Sequence, residues 1–262
     1  MSASPPKKSK TGPAAIVPAL VTIALGTMAA IYGSRDETSG EAPPPESVEG
    51  AARQRATFDF YLLAMTIHAS FCAEHERKPE CRVPQPKALV IHGLWPERRA
   101  PNTYPRDCPA PRLALEPALS RELDPLLPGM TDGLHEHEWR EHGGCSGLDD
   151  DAYFRHTLDL ARRVDAALGD RLTTLAGSET SAAELRRVAD ERQAGFGRTI
   201  TFHCRVPRGA GQESRGRPWL FEVRQCVDDD GAGGAPATLL DCASVNRCDQ
   251  GCGERFFIAS RR

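Results

Sequence analysis

Ala88-Leu89-Val90-Ile91-His92-Gly93-Leu94-Trp95-Pro96 sets an apolar run directly before a histidine, a glycine and a tryptophan. A short apolar run closed by turn-forming residues predicts a buried strand, which here delivers His92 at its end. Upstream, the alternation of Phe58, Phe60, Leu62 and Ala64 predicts a first strand. Downstream, His137-Glu138-Trp139-Arg140-Glu141-His142-Gly143-Gly144-Cys145 reads as a helical segment that stops at Gly143-Gly144, because glycine commonly ends helices. Phe154, Leu158, Ala161, Val164 and Leu168 recur at helical spacing between Asp149 and Leu168, and Ser181 followed by Glu184 has the pattern of a capping box. Strands are expected around Thr199 to Cys204, Trp219 to Val227, Thr238 to Cys242 and Phe256 to Ala259. This order predicts an α+β domain with a mainly antiparallel central sheet flanked by helices.

The two histidine-bearing stretches together supply three histidines, two glutamates and two tryptophans. An unperturbed imidazole titrates near pH ~6.5, so a pair of histidines can hold one neutral base beside one protonated acid at mildly acidic pH. RNA suits that pairing, because the ribose 2′-hydroxyl is a built-in nucleophile. Such a reaction needs a base for the hydroxyl, an acid for the departing 5′-oxygen, and charge to stabilise the phosphorane between them. A zinc site is the rival reading. The zinc-protease signature places two histidines four residues apart on one helix face. His137 and His142 are five apart and diverge by roughly 140° at about 100° per residue.

Both stretches resemble the two active-site segments of the ribonuclease T2 family, the secreted acid endoribonucleases. His92 to Pro96 resembles the first and His137 to Cys145 the second. Phe58 to Met65, with Ser70-Phe71-Cys72 after it, resembles the family's opening strand and first cysteine. The resemblance covers about residues 56 to 262 and implies an endoribonuclease that needs neither metal nor cofactor. It implies that His142 is the general base, His92 the general acid, His137 a phosphate ligand, and Glu138 a stabiliser of the phosphorane. The product would be a 2′,3′-cyclic phosphate, hydrolysed further to a 3′-phosphate. Trp95 would form an aromatic wall, Glu97 would contact the base upstream of the cut, and Tyr104 would stack on it. The implied disulfides are Cys72 with Cys81, Cys108 with Cys145, Cys226 with Cys242 across a hairpin, and Cys204 with Cys252; Cys248 would then be the odd thiol, although it competes with Cys252.

Other residues take plainer roles. Trp139 reads as core packing, His68, His75, His156 and His203 as surface or structural histidines, and His135 and Glu136 as rim residues. Three departures from the resemblance stand out. Glu141 occupies the place of a lysine that would give positive charge to the phosphorane, which predicts a weaker enzyme or a shifted pH optimum. Ile67-His68 replaces a tryptophan-proline pair, and Leu134-His135 replaces a pair usually aromatic. These put the preference for the downstream base in question. An RNA-binding domain with weak or lost catalysis is therefore a second reading, and a zinc hydrolase a third.

Lys7, Lys8 and Lys10 precede an uncharged stretch from Thr11 to Ser34. It is longer than the apolar core of a cleaved signal and approaches the roughly 20 residues that span a bilayer. Residues 1–34 are therefore expected to be a signal peptide or amino-terminal membrane anchor, with residues 11–34 as the anchoring stretch and the following domain facing outward. Residues 35–55, which include Pro43-Pro44-Pro45, read as a disordered linker. Residues 56–262 form the catalytic domain. Nine cysteines fit an oxidising location, so the protein is expected to be secreted, periplasmic or membrane-anchored. A net charge of −3 excludes a broad basic surface for long nucleic acid, so single-stranded RNA would be held locally. The expected assembly is a monomer with no obligate protein partner.

Overall fold

The computed structural model describes residues 55–84, 86–100, 103–106, 108–208, 216–229 and 238–260. The expected signal or anchor of residues 1–34 lies outside the described residues, as does the linker of residues 35–55 except for Arg55. Among the described residues no helix is long and apolar enough to cross a membrane.

The sheet is built around β1 (Phe60–Ile67), which pairs antiparallel with β2 (Leu89–Glu97) on one side and β5 (Trp219–Asp228) on the other. β4 (Ile200–Arg205) joins β5 antiparallel. β6 (Phe256–Phe257) meets β5 in a parallel pairing and β3 (Glu179–Thr180) in an antiparallel one, so the sheet is mainly antiparallel, as expected.

Alternation in β1 divides the work of the sheet. Tyr61, Leu63, Met65 and Ile67 point into the main core with Leu158, Val164 and Leu168 of α5 (Asp150–Thr174) and Leu185 of α6 (Ala182–Arg192). Phe60 and Leu62 point the other way, into a smaller cluster with Cys226, Cys242 and Val245. Each fully buried side chain of this kind contributes roughly 1.5–3 kcal/mol on leaving water, so a strand buried on both faces is the most firmly held part of the sheet. Helices α1 (His68–Glu74) and α2 (Pro117–Leu123) are short, whereas the long α5 and α6 begin on the caps the sequence offers. The Asp149 side chain accepts from Ala152 N–H at 2.7 Å, and Ser181 Oγ accepts from Glu184 N–H at 3.2 Å.

Three expectations need correction. His92 does not end its strand: β2 continues through Trp95 to Glu97, because β1 offers a partner as far as Phe60. Ala64 pairs with Gly93 and Met65 with Ile91, so His92 is the extra residue of a β-bulge. Pro96 is tolerated because β2 lies at the sheet edge, where a missing N–H costs no ladder bond. Next, Gly143 and Gly144 do not end a helix. α3 (Leu134–Glu138) passes into a π turn (Trp139–Gly143) and then α4 (Gly144–Ser146), and the chain leaves the helix at Gly147 with φ +80°. Finally, Thr238 to Cys242 is no strand. Leu239 makes a single bridge to Val227, and Cys242–Val245 forms a 3-10 helix. The Asp241 side chain caps that turn by accepting from Ala243 N–H at 2.9 Å, a local bond that competes with strand pairing.

The four disulfides pair as the family resemblance implies, and Cys248 is free and exposed. Cys226 meets Cys242 in the 3-10 helix rather than across a hairpin. Cys108–Cys145 ties the segment after β2 to the end of the second histidine stretch. Replacing Cys108 and Cys145 together by serine should cost about 2–5 kcal/mol of stability. The loss would be read by calorimetry as a clear fall in Tm, and an unchanged Tm would contradict it.

Candidate active site

Pairing across β1 sets the site. Thr66 is opposite Val90 and Glu222, and Ala64 is opposite Gly93 and Arg224, so these side chains share one face of the sheet. Ala64 and Thr66 are small, which leaves room above β1. His92, released from the ladder by the bulge, reaches across it and places Nδ1 2.8 Å from Glu222 Oε1. Its Nε2 lies 4.0 Å from Glu138 Oε1, so the ring is held between two carboxylates from different elements. Glu138, 2% exposed, accepts a 2.9 Å hydrogen bond from Trp95 Nε1. That contact requires glycine at position 93, where a Cβ would stand 1.9 Å from Glu138 Oε2.

The π turn delivers the second histidine. An uninterrupted α-helix would turn His142 well away from His137, whereas in a π turn the residue five further on lies about one turn away. Gly144 N–H accordingly reaches the carbonyl of Trp139. His142 comes to rest 5.6 Å from the Trp95 ring and 6.2 Å from that of Tyr104, while His92 is 5.1 Å from Trp95 on an edge. Both imidazoles thus lie within ring-contact distance of the Trp95 indole. Arg106 lies over the outer Tyr104 ring at 4.6 Å.

The two imidazoles are driven in opposite directions. Burial disfavours a charged His92, but the hydrogen bond and charge of Glu222, with help from Glu138, outweigh it and raise its pKa above 6.5. Burial lowers His142 to about 4, aided by the nearby charges of His137, His92 and Arg106, while Glu141 pulls the other way. His142 Nδ1 is buried without a hydrogen-bond partner. Burial also raises Glu138 to about 7, so its carboxyl is neutral in mild acid despite His92 and Trp95 nearby. Glu222 resists burial because His203, His92 and Arg224 surround it, and it stays ionised well below the usual carboxylate range.

The structure brings His92, Trp95, Tyr104, His137, Glu138 and His142 to one side of β2, with His137 and His92 sharing the wall of one cavity. Glu97 stands at the far end of β2, where Arg247 donates to it at 2.8 Å, and burial pushes its pKa up. Trp139 is core, as expected, and donates from Nε1 to Pro111 O at 2.8 Å. Arg140 points to solvent and contacts Glu141 at 3.2 Å and His137 at 3.3 Å. The motifs alone give no hint of Glu222, Arg224 or His203. Arg224 donates to Glu222 at 2.8 Å, contacts His203 Nδ1 at 3.0 Å, and lies 5.6 Å over Trp95. Their one signal is that Glu222 and Arg224, two residues apart, interrupt an apolar strand on the same face. His203, expected to be surface or structural, therefore belongs to the surroundings of the site. Among the described residues His68, Cys72 and Cys81 are close enough together to ligate a metal, but the two sulfurs are joined as a disulfide.

Comparison with known proteins agrees with this architecture. The family model for the Ribonuclease T2 family matches residues 58–242. A ribonuclease of Aeromonas hydrophila is 32% identical over 195 residues, which cover 72% of this chain and 81% of that protein. Ribonuclease 1 of Arabidopsis thaliana is 27% identical, over 75% of this chain and 85% of its own. RNase MC1 from bitter gourd seeds superposes with a TM-score of 0.57 at 22% identity, covering 76% of this chain and all of its own, which establishes a shared fold. With the fold, the matched segment and the identity to the bacterial relative in agreement, the chain belongs to the ribonuclease T2 family and is an endoribonuclease of that type.

Proposed function

We propose that this chain cleaves single-stranded RNA by metal-independent general acid–base catalysis, with a 2′,3′-cyclic phosphate as intermediate. The observation that carries this reading is the pair of imidazoles against Trp95, one poised neutral and the other poised charged. His142 accepts the proton of the 2′-hydroxyl, whose oxygen attacks phosphorus. His92 gives its proton to the 5′-oxygen as the P–O bond to that oxygen breaks. Water then opens the cyclic phosphate with the roles exchanged, leaving a 3′-phosphate. His137 binds the phosphate, and the neutral carboxyl of Glu138 donates its proton as a hydrogen bond to a phosphorane oxygen.

Trp95 and Tyr104 form the wall for the base upstream of the cut. Glu97, whose carboxylate accepts a hydrogen bond from Arg247, is the contact to that base. Arg224 is fixed by Glu222 and His203 beside Trp95, and it supplies positive charge in a site where the lysine position is Glu141. Glu141 also favours a second reading, an RNA-binding domain with weak turnover. Four disulfides fit residues 56–262 as an extracytoplasmic catalytic domain, secreted, periplasmic or tethered through residues 11–34, and working as a monomer.

The test is cleavage of a fluorescent oligoribonucleotide by the disulfide-bonded full chain between about pH 4 and 8 with excess chelator. Activity should survive the chelator, give cyclic phosphate ends, and fall by about 10²- to 10⁴-fold in His92→Ala and in His142→Ala. Binding without any cleavage would favour the second reading. The acid limb of the profile should follow protonation of His142 near 4, and the alkaline limb deprotonation of His92 above 6.5. Glu222→Gln removes the charge that stabilises the imidazolium, so the alkaline limb should move to lower pH. An unmoved limb would break the link between Glu222 and the acid. Glu141→Lys should raise the rate by about tenfold or more. No gain would mean that Arg224 already supplies that charge.

A further inference from the structure

One row of polar side chains crosses the sheet from β2 to β4. His203 of β4 is directly opposite Glu222 of β5, Glu222 is opposite Thr66 of β1, and His92 reaches over from β2 to meet Glu222. Arg224, two residues further along β5 and on the same face, donates from Nε to Glu222 Oε2 at 2.8 Å. Its Nη2 lies 2.6 Å from that same oxygen and 3.0 Å from His203 Nδ1. Glu222 Oε2 is farther from His203 Nδ1, at 3.5 Å. A guanidinium carries donors and no acceptor, so the ring nitrogen that faces it must be the one without a proton. His203 is therefore the tautomer with its proton on Nε2, and its Nδ1 accepts from Arg224.

Both Arg224 contacts to Glu222 converge on one oxygen, which leaves the guanidinium plane free to pivot unless a second group holds it. We infer that His203 is a positioning residue: by accepting from Arg224 through Nδ1, it holds the guanidinium beside Glu222 and Trp95, where its charge acts on His92 and on the reacting phosphate. The action on the phosphate rests on the proposed catalytic roles of His92 and Arg224. The charged and titratable groups that face His92 are Glu222 and Arg224 from β5, Glu138 from α3 and His142 from the π turn. Of these, the two carboxylates favour the imidazolium, and Arg224 opposes it. A guanidinium that pivots away leaves more of the Glu222 charge to His92 alone, so His92 would keep its proton to higher pH. The phosphorane would lose a nearby positive charge in the same movement. Freeing Arg224 therefore has two linked effects, a slower reaction and a general acid that releases its proton later.

The full disulfide-bonded chain, His203→Asn and His203→Phe would be compared by pH–rate profile on an oligoribonucleotide and by NMR titration of the His92 ring. Asparagine can place Oδ1 where Nδ1 stands, whereas phenylalanine keeps a ring and loses the acceptor. In His203→Phe, kcat should fall by about tenfold or more. The alkaline limb and the His92 titration should both move up by about half a pH unit or more, opposite in direction to the effect of Glu222→Gln. His203→Asn should stay close to the parent chain in rate and in both titrations. In an Arg224→Ala background His203→Phe should add no further shift, because it acts through Arg224. Nitrogen NMR of the parent chain at neutral pH should show His203 Nδ1 as the unprotonated nitrogen. A slower His203→Phe whose limb stays put or moves to lower pH, a His203→Asn that behaves like His203→Phe, or a proton on His203 Nδ1 would each overturn the inference. If the parent chain cuts no RNA, the catalytic reading fails, and the tautomer and the His92 titrations still decide whether His203 positions Arg224.

Discussion

The 2.8 Å contact between His92 and Glu222 spans the central strand and joins its two neighbours on the face where the site lies. It exists because β1 carries Ala64 and Thr66 beneath it and because a bulge frees His92 from the ladder. A larger residue at position 64 would fill the gap, and a regular pairing would set His92 into the alternation of β2. Glu222 in turn stays ionised only because Arg224 and His203 stand around it. One buried anion therefore does two things: it orients the imidazole through Nδ1, leaving Nε2 facing Glu138 at 4.0 Å, and it holds that ring charged.

The second imidazole at Trp95 is set by withholding such a partner. His142 is half-buried beside His137, His92 and Arg106 with its buried Nδ1 unpaired, so its neutral form is favoured. Glu138 is also kept neutral by burial. The Trp95 indole links these halves, since its Nε1 binds Glu138 and its ring lies against both histidines. The π turn that follows Glu138 places His142 where the indole can meet it. The acid–base asymmetry is thus a property of packing as much as of residue type.

How far this was legible in the sequence differs from part to part. His137, Glu138 and His142 lie within one helical stretch and His92 next to Trp95, so local motifs reveal them. The strands β1, β2, β4 and β5 and the helices α5 and α6 follow from apolar spacing and from the caps Asp149 and Ser181. Glu222, Arg224 and His203 enter only through the pairing of β5 with β1 and of β4 with β5, which local spacing does not encode. The bulge at His92 was hidden because Gly-Leu-Trp-Pro looks like a turn, and the helix end was misplaced because Gly143 and Gly144 serve close packing. A Cβ at Gly143 would stand 2.3 Å from the Trp139 ring, and one at Gly144 2.7 Å from Ala110. The disulfide pairings came from family resemblance, since spacing alone leaves many connectivities open.

The fold holds two imidazoles in opposite protonation states against one tryptophan. Its most direct test is an NMR titration of the histidine ring protons in the full chain, assigned with His92→Ala and His142→Ala. His92 should titrate above 6.5 and His142 near 4, so that one is charged and the other neutral at mildly acidic pH. Titration of both rings together near 6.5 would contradict it.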